Sequence, residues 1–325
     1  MKRFTAITIV FLLILTTALS GCTQNERETE RKTSVVCTVF PQYDWVSQIL
    51  GDNADDVELT LLLNKRIDLH NYQPSVDDII KISTCDLFIY IGGESDKWVD
   101  DALKDATNKD MIVISLLEML GDAAKAEEII EGMEEDLDDA DDNGEEIEYD
   151  EHVWLSLRNA QIFCSAITNA LSSLDAENAG TYRSNLALYN EKLSAFDSDY
   201  KAALNDAPVD TLLFGDRFPF RYLVDDYGLN YYAAFAGCSA ETEASFETII
   251  FLAKRMDELG LKTIMVTESS DKRIAETIIR ESQGADIQVL VLDSMQSVAK
   301  SDVTNGTTYL SIIESNLNVL KEALK

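Results

Sequence analysis

Apolar residues are spaced in two alternating ways along the chain, and this alternation predicts the order of strands and helices. Short runs rich in strand-favouring residues are each followed by a longer stretch in which apolar residues recur every three or four positions. The predicted strands are 34–40, 57–63, 87–91 and 111–116 in the first half, and 211–214, 231–235, 263–266 and 288–292 in the second. Strands that alternate with helices build parallel sheets. We therefore expect an α/β fold with two lobes, each a small parallel-type sheet flanked by helices.

A longer helical pattern lies between the two halves. Apolar residues recur at steps of three and four from Tyr182 to Leu204, which predicts one amphipathic helix over 178–206 that ends before Pro208. At 1.5 Å per residue this helix would run for roughly 40 Å, which is more than a crossover between strands needs. We expect it to join the lobes as a strut, with the first lobe at 34–177 and the second at 207–325.

The first 33 residues have the composition of an export signal followed by a tether. Lys2 and Arg3 precede an apolar run at 6–19, and the sequence LSGC at 19–22 resembles the site at which bacterial lipoproteins are cleaved and lipidated. This predicts a signal peptide at 1–21, a lipid-bearing Cys22 and a polar tether at 22–33. The protein would then be extracytoplasmic and lipid-anchored to the cell membrane. The alternative is a plain export signal in which the cysteine is incidental.

The chain is strongly acidic, with 59 Asp and Glu against 27 Lys and Arg and a formal net charge of −32. This charge argues against nucleic acid as a partner and makes cations the more natural ligands. Within a predicted acidic loop at 122–151, the segment 127–151 contains fifteen acids and no Lys or Arg. We expect it to be largely disordered and solvated. It is either a self-repelling surface loop or a weak collector of divalent cations beside a tighter site.

Two histidines are present in 325 residues, and both lie in predicted loops. His70 follows the second predicted strand, and the carboxyl ends of parallel strands are where α/β proteins bind ligands. His152 follows the acidic segment. Each has an acid close before it, Asp68 for the first histidine, and Asp150 with Glu151 for the second. Because such an acid can accept the second ring N–H and fix the tautomer, the two histidines predict a metal site.

The segments around these histidines resemble known metal-binding motifs. DLHNYQP at 68–74 is similar to the first ligand motif of the zinc/manganese ABC-transporter solute-binding lipoproteins. DEHVWL at 150–155 resembles their second motif, which usually reads Asp-Pro-His before a hydrophobic residue, Trp and Leu. The strand and glycine turn at 85–93 are also similar, and the resemblance extends from residue 34 to the C-terminus. It implies a monomeric protein without enzymatic activity that binds a divalent metal ion and delivers it to an ABC-transporter permease in the membrane.

The same resemblance implies a third ligand from the second lobe, where this sequence departs from the family pattern. Gly215 stands where the family usually has a histidine or glutamate. Asp216 is the nearest group able to replace that ligand. Arg217 or Arg221 could neutralise the carboxylate instead, so both roles stay open for Asp216.

Carboxylates later in the second lobe are further predicted ligands. Asp293 ends the last predicted strand in an Asp-Ser pair, and Glu268 ends the preceding one in a Glu-Ser-Ser turn, both similar to motifs of the family. Glu241 and Glu243 fall near the expected cleft and remain candidates. Cys238 beside them is either a soft ligand or a disulfide partner, and the connectivity among the cysteines is not readable from sequence: Cys37, Cys85, Cys164 and Cys238.

Two imidazoles with one or two carboxylates form a donor set that suits zinc well and manganese acceptably. We expect Zn²⁺ ahead of Mn²⁺, because imidazole and the adjacent polyanionic loop favour capture of a scarce borderline ion. The alternatives are manganese or iron in the same role, and an iron chelate or haem bound through Arg217, Arg221 and Tyr222. A lipid-anchored zinc hydrolase is a further alternative, but the sequence contains neither His-Glu-x-x-His nor Gly-x-Ser-x-Gly.

Overall fold

Two four-stranded parallel sheets organise the computed structural model of the protein, which describes residues 31–65, 68–133, 148–239 and 243–325. The strands are β1 (Thr33–Cys37), β2 (Val57–Leu61), β3 (Leu87–Tyr90) and β4 (Ile112–Ser115), then β5 (Thr211–Phe218), β6 (Asn230–Ala236), β7 (Thr263–Thr267) and β8 (Gln288–Leu292). Their spatial orders are β2-β1-β3-β4 and β6-β5-β7-β8, with every pairing parallel. The predicted α/β fold with two parallel sheets is therefore confirmed, and both sheets share one topology.

Helices follow most of the strands, as the apolar spacing predicts. The helices of the described residues are α1 (Phe40–Leu50), α2 (Val76–Thr84), α3 (Trp98–Lys104), α4 (Leu116–Leu120), α5 (Leu157–Leu174), α6 (Ala179–Asn205), α7 (Arg221–Tyr227), α8 (Phe246–Leu259), α9 (Arg273–Glu281), α10 (Lys300–Thr304) and α11 (Tyr309–Ala323). Side-chain caps fix several of their starts. Ser75, for example, accepts a hydrogen bond from the Asp78 N–H at the start of α2.

The helix α6 is the predicted connection between the lobes. It has 27 residues and therefore runs for roughly 40 Å. Its buried side chains are spread from Tyr182 to Leu204 along that whole length. It packs against α1 and α5, which follow strands of the first sheet, and against α7 and α11, which follow strands of the second. Both lobes are thus fastened to one continuous helix.

One hydrophobic core runs from the first lobe into the second, around the start of α11. The ring of Tyr309 lies 5.3 Å from the ring of Trp45, measured between centroids. The Tyr309 hydroxyl donates a hydrogen bond to the Trp154 carbonyl at 2.7 Å, and its N–H donates to the Asp44 carboxylate at 3.2 Å. A second, smaller core fills the space between the second sheet and the helices α8 and α9. The C-terminal helix therefore ties the two lobes together.

The strand β5 extends to Phe218, so the predicted end at residue 214 is wrong. Its register against β6 shifts between Phe214 and Arg217, which is the mark of a bulge. Gly215 lies in this bulge, and a Cβ at that position would be 2.6 Å from the Cα of Ala275 in α9. The Gly-Asp pair has the sequence pattern of a turn, but here glycine allows a helix to approach the strand closely.

Several sequence-based predictions fall on residues outside the described ranges. They concern the signal peptide at 1–21, the lipid on Cys22, the candidate Glu241 and the central part of the acidic loop, 134–147. The described part of the chain contains no helix long and apolar enough to cross a membrane. Within the same residues, no disulfide joins the four cysteines Cys37, Cys85, Cys164 and Cys238. The lobe boundaries at 34–177 and 207–325 stay predictions.

Candidate metal centre

His70 lies in a single 3-10 turn, Leu69–Asn71, beyond the carboxyl end of β2. Asp68 starts this turn and accepts a hydrogen bond from the His70 N–H at 3.0 Å. The other oxygen of Asp68 contacts the guanidinium of Arg217 in the second lobe. The His70 ring places Nδ1 2.8 Å from the Ser95 hydroxyl, while Nε2 is buried without a hydrogen-bond partner among the described residues. When Nδ1 donates to Ser95, Nε2 offers a lone pair to a metal ion.

His152 is fully buried and is held by the carboxylate of Asp150. One oxygen of Asp150 accepts hydrogen bonds from the His152 backbone N–H at 2.8 Å and from ring Nδ1 at 3.0 Å. In the neutral ring the proton lies on Nδ1, because the carboxylate accepts it, and Nε2 then carries the lone pair. That Nε2 atom has no hydrogen-bond partner in the described chain. The rings of His152 and His70 lie 5.5 Å apart between centroids. The structure therefore brings the two predicted histidines together across 81 intervening residues.

Glu151 adds a buried carboxylate to the two imidazoles. Its Oε1 accepts a hydrogen bond from the Ser95 backbone N–H at 2.7 Å. Its Oε2 lies 3.8 Å from Nδ1 of His70 and has no hydrogen-bond partner within the described ranges. Gly93, with φ of +84°, makes room for this side chain, because a Cβ there would lie 2.5 Å from Oε1. The glycine turn after β3 thus sets the position of the carboxylate.

Cys238 reaches the same place from the second lobe, two residues beyond the end of β6. One donor atom each from His70, Glu151 and Cys238 lie within 4.8 Å of one another. The backbone N–H of Cys238 donates a hydrogen bond to the Glu127 carboxylate at 2.9 Å. Its neighbour Gly237 faces His152, since a Cβ on that glycine would lie 3.2 Å from the ring Cε1. His70, Glu151 and Cys238 thus offer one nitrogen, one oxygen and one sulfur within a small space, and the His152 ring lies beside them, 5.5 Å from the His70 ring between centroids.

The protonation of these groups follows from their burial. Burial, together with the nearby His152, lowers the pKa of His70 to about 3, so the His70 ring is neutral at physiological pH. Burial opposes the charged form of His152, but Asp150 and Glu151 outweigh it and raise its pKa. Burial also raises the pKa of Glu151 to about 7 and raises the pKa of the Cys238 thiol. A cation bound here would favour the ionised carboxylate and thiolate.

The base of the acidic loop forms a short stem beside this centre. Ala126 and Tyr149 form an isolated antiparallel bridge, and the Asp150 N–H donates to the Lys125 carbonyl at 2.9 Å. Tyr222 of the second lobe clamps the stem, because its hydroxyl donates to the Asp150 carbonyl at 3.1 Å and accepts from the Lys125 N–H at 3.0 Å. The stem leads directly into Asp150. Its hydrogen bonds to Tyr222 therefore join the two lobes close to His152.

Of the predicted second-lobe carboxylates, Asp216 lies within β5, whereas Glu268 and Asp293 directly follow β7 and β8, and the three-donor group does not include them. Asp216 accepts hydrogen bonds from the Thr267 N–H at 2.9 Å and the Thr267 hydroxyl at 2.7 Å. It lines a cavity of about 240 Å³ that also touches the first-lobe residue Asn71. Glu268 accepts from the Ser294 N–H at 2.8 Å. One oxygen of Asp293 accepts from the Met295 N–H at 2.7 Å. The role of these three carboxylates as metal ligands remains a prediction.

Sequence reasoning gave Glu151 and Cys238 less weight than the structure does. The sequence predicts Glu151 only as an acid that precedes His152. The signal for a role as a ligand is that Glu151 replaces the usual proline of the family motif. For Cys238 the sequence leaves two interpretations open, a soft ligand or a disulfide partner. Its position just beyond the carboxyl end of β6 is the usual place for a ligand-binding residue. The sequence does not indicate that the end of β6 lies close to His70.

Comparison with known protein families agrees with this geometry. The family described as zinc-uptake complex component A, periplasmic (ZnuA), matches residues 35–323. The chain belongs to this family, so the resemblance seen in its two histidine motifs is confirmed. It is 29% identical to the zinc-binding protein AdcA of Streptococcus pyogenes serotype M18 over 304 residues, which are 90% of this chain and 56% of that protein. The chain thus spans about half the length of the first curated relatives it matches.

Other relatives match along their full length. The chain is 28% identical to the high-affinity zinc uptake system protein ZnuA of Bacillus subtilis over 328 residues, 99% of this chain and 98% of that protein. Among solved structures, the Zn(II)-bound ZnuA-like domain of Streptococcus pneumoniae AdcA has a TM-score of 0.69 at 27% identity, covering 90% of this chain and 99% of that one. The metal-dependent lipoprotein YcdH of Bacillus subtilis has a TM-score of 0.72 at 26% identity, covering 90% and 100%.

Proposed function

We propose that this protein is the extracytoplasmic binding component of a zinc uptake system, which captures Zn²⁺ and delivers it to an ABC-transporter permease. The observation that carries the proposal is the pair of buried imidazole Nε2 atoms on His70 and His152, on rings 5.5 Å apart and without hydrogen-bond partners in the described chain. Unpaired buried polar atoms cost free energy unless a ligand satisfies them. A zinc ion bound to both nitrogens would satisfy them.

The donor atoms favour zinc over manganese. Zn²⁺ prefers four ligands drawn from imidazole, thiolate and carboxylate, whereas Mn²⁺ favours oxygen donors in octahedral geometry. Each imidazole is oriented by a second group, Asp150 for His152 and the Ser95 hydroxyl for His70. Such partners fix the ring and tune its basicity as a ligand. Relatives in the family are named for zinc binding and zinc uptake, and this supports the same cargo here.

The proposed cycle involves capture and release with no covalent chemistry, so the protein acts as a carrier and not as an enzyme. The first lobe supplies His70 and His152, and the second lobe closes over them. The contact between Asp68 and Arg217 joins the lobes directly beside His70. Opening this contact would expose the ion to a partner. We further propose that Cys22 carries the lipid anchor, that 22–33 forms the tether, and that the protein acts as a monomer.

The test is metal binding by the purified protein and by variants of the two histidines. The parent should contain one zinc ion per chain. His70→Ala and His152→Ala should each bind zinc more than about 100-fold more weakly, because loss of an outer partner already costs 10- to 100-fold. Gln73→Ala is the matched control, since this exposed residue lies in the His70 loop. Both histidine variants binding zinc as tightly as the parent would refute the proposal. Visible absorbance from an iron chelate or haem in place of zinc would also refute it.

A further inference from the structure

We propose that the sulfur of Cys238 is the metal ligand contributed by the second lobe, completing a site with His70, His152 and Glu151. This inference rests on the zinc-binding function proposed above and specifies how the second lobe takes part in it. The four residues would supply two imidazole nitrogens, one carboxylate oxygen and one thiolate sulfur. Such a mixed set of four donors is within the normal chemistry of zinc.

The distances support a shared ion. Donor atoms of His70, Glu151 and Cys238 already lie within 4.8 Å of one another. Bonds to zinc are about 2.0–2.1 Å from nitrogen and about 2.3 Å from sulfur, so two ligand atoms on one tetrahedral ion lie roughly 3.5 Å apart. These three donors therefore need to approach one another by little more than about 1 Å, and the His152 ring lies 5.5 Å from the His70 ring between centroids. Rotation of side chains within the existing loops covers such a distance.

The unpartnered atoms point to a ligand independently of the cysteine. His152 Nε2, His70 Nε2 and Glu151 Oε2 are all buried and lack hydrogen-bond partners within the described residues. The side chains of His152, Glu151 and His70 are exposed by 0%, 1% and 9%. Three unpaired buried polar atoms around one space indicate a bound ligand that would satisfy them.

The bulge of β5 does not offer a ligand in place of Cys238. A Cβ on Gly215 would lie 2.6 Å from the Cα and 2.9 Å from the N of Ala275, both backbone atoms of α9. No side chain fits at 215 unless that helix moves. Both oxygens of the adjacent Asp216 accept hydrogen bonds, one from the Arg217 N–H and the other from Thr267. Among the described residues of the second lobe, Gly237 and Cys238 after β6 lie close to the unpaired atoms.

The charges balance when sulfur is the fourth ligand. A zinc ion with two positive charges, the Glu151 carboxylate and the Cys238 thiolate form a neutral unit with two neutral imidazoles. The other three cysteines are buried, whereas Cys238 is only partly buried and its N–H donates to the Glu127 carboxylate beside the two histidines. A sulfur ligand also favours zinc over manganese.

Cobalt substitution tests the proposal through a spectroscopic signature of the metal–sulfur bond. The full-length parent loaded with Co²⁺ should show the near-ultraviolet charge-transfer band of a cobalt thiolate. Cys238→Ala and Cys238→Ser should lose this band, weaken zinc binding at least tenfold, and reduce the preference for Zn²⁺ over Mn²⁺. Cys164→Ala, which changes a fully buried cysteine in α5, should keep the band and the affinity. A parent spectrum without the band, or a band that survives both Cys238 substitutions, would overturn the proposal.

The outcomes for this inference and for the underlying function are distinguishable. If the parent binds zinc through His70 and His152 but the cobalt spectrum shows only nitrogen and oxygen ligands, the sulfur ligand is wrong and the function stands. If the parent binds no zinc, the function itself fails. Should the Cys238 variants not fold, thiol alkylation of the parent decides. Zn²⁺ should then protect Cys238 from the reagent, as located by peptide mass, and equal labelling with and without Zn²⁺ would refute the proposal.

Discussion

Replacing Asp150 by asparagine tests how strongly the carboxylate behind His152 supports metal binding. The carboxylate is 2% exposed, and one of its oxygens accepts both the backbone N–H and the ring Nδ1–H of His152, at 2.8 and 3.0 Å. Asparagine has nearly the same shape and can still accept both hydrogen bonds. What it removes is the negative charge that polarises the imidazole.

The expected effect follows from the strength of the bond that changes. A hydrogen bond to a charged group contributes about 1.5–3 kcal/mol, and one between neutral groups about 0.5–1.5 kcal/mol. The difference of about 1–1.5 kcal/mol corresponds to roughly a tenfold weaker zinc affinity. Asp150→Ala removes the acceptor as well, and it should approach the 100-fold loss typical of missing outer partners.

Competition against a chromogenic zinc chelator at neutral pH measures these affinities directly. Asp122→Asn is a suitable control, because it removes one negative charge at an exposed position of the same acidic loop. It should bind zinc within about twofold of the parent, since surface charges are screened by salt. The reasoning fails if Asp150→Asn also binds within twofold while His152→Ala loses zinc, because the charge of Asp150 would then have no coupling to the metal.

Two further predictions concern packing and pH. Gly93→Ala should weaken zinc binding at least tenfold, because its Cβ would lie 2.5 Å from the Glu151 carboxylate. Gly121→Ala is the control, since Gly121 also has a positive φ but faces open space, and equal zinc affinities of the two variants would disprove the steric argument. Burial raises the pKa of Asp44 from 3.8 to about 6, so the native state holds this proton more tightly than the unfolded state, and stability is lost as pH rises from about 4 through about 6. Asp44→Asn, which keeps an acceptor for the Tyr309 N–H, should recover on the order of 3 kcal/mol above that range in urea unfolding, and an unchanged pH profile would contradict this.

The fold was predictable because its signals are local. The strut α6 is observed at Ala179–Asn205 against a predicted 178–206, since its apolar residues repeat at helical spacing over seven positions. The strand β8 likewise coincides with its predicted range. The extension of β5 was missed, because the approach of α9 to Gly215 depends on residues 60 positions further along the chain.

In the candidate metal centre, the two histidines could be predicted because their signals are also local. His70 and His152 are rare residues set in short local motifs, so their pairing could be proposed from the sequence. The roles proposed for Glu151 and Cys238 depend on distances that spacing along the chain does not encode. Glu151 takes its position from the glycine turn at Gly93, and Cys238 from the docking of the second lobe. Among so many carboxylates, choosing ligands required the fold.

The continuous helix α6 has a consequence for how the proposed permease would recognise the loaded state. Within the described residues this helix packs along its length against α1, α5, α7 and α11, which favours small movements of the lobes over wide ones. The difference between full and empty protein should then be confined to the rim of the cleft, where the loops carrying His70, Glu151 and Cys238 meet. A transporter would sense cargo by the shape of that rim, and the outer contour of the molecule would stay nearly constant.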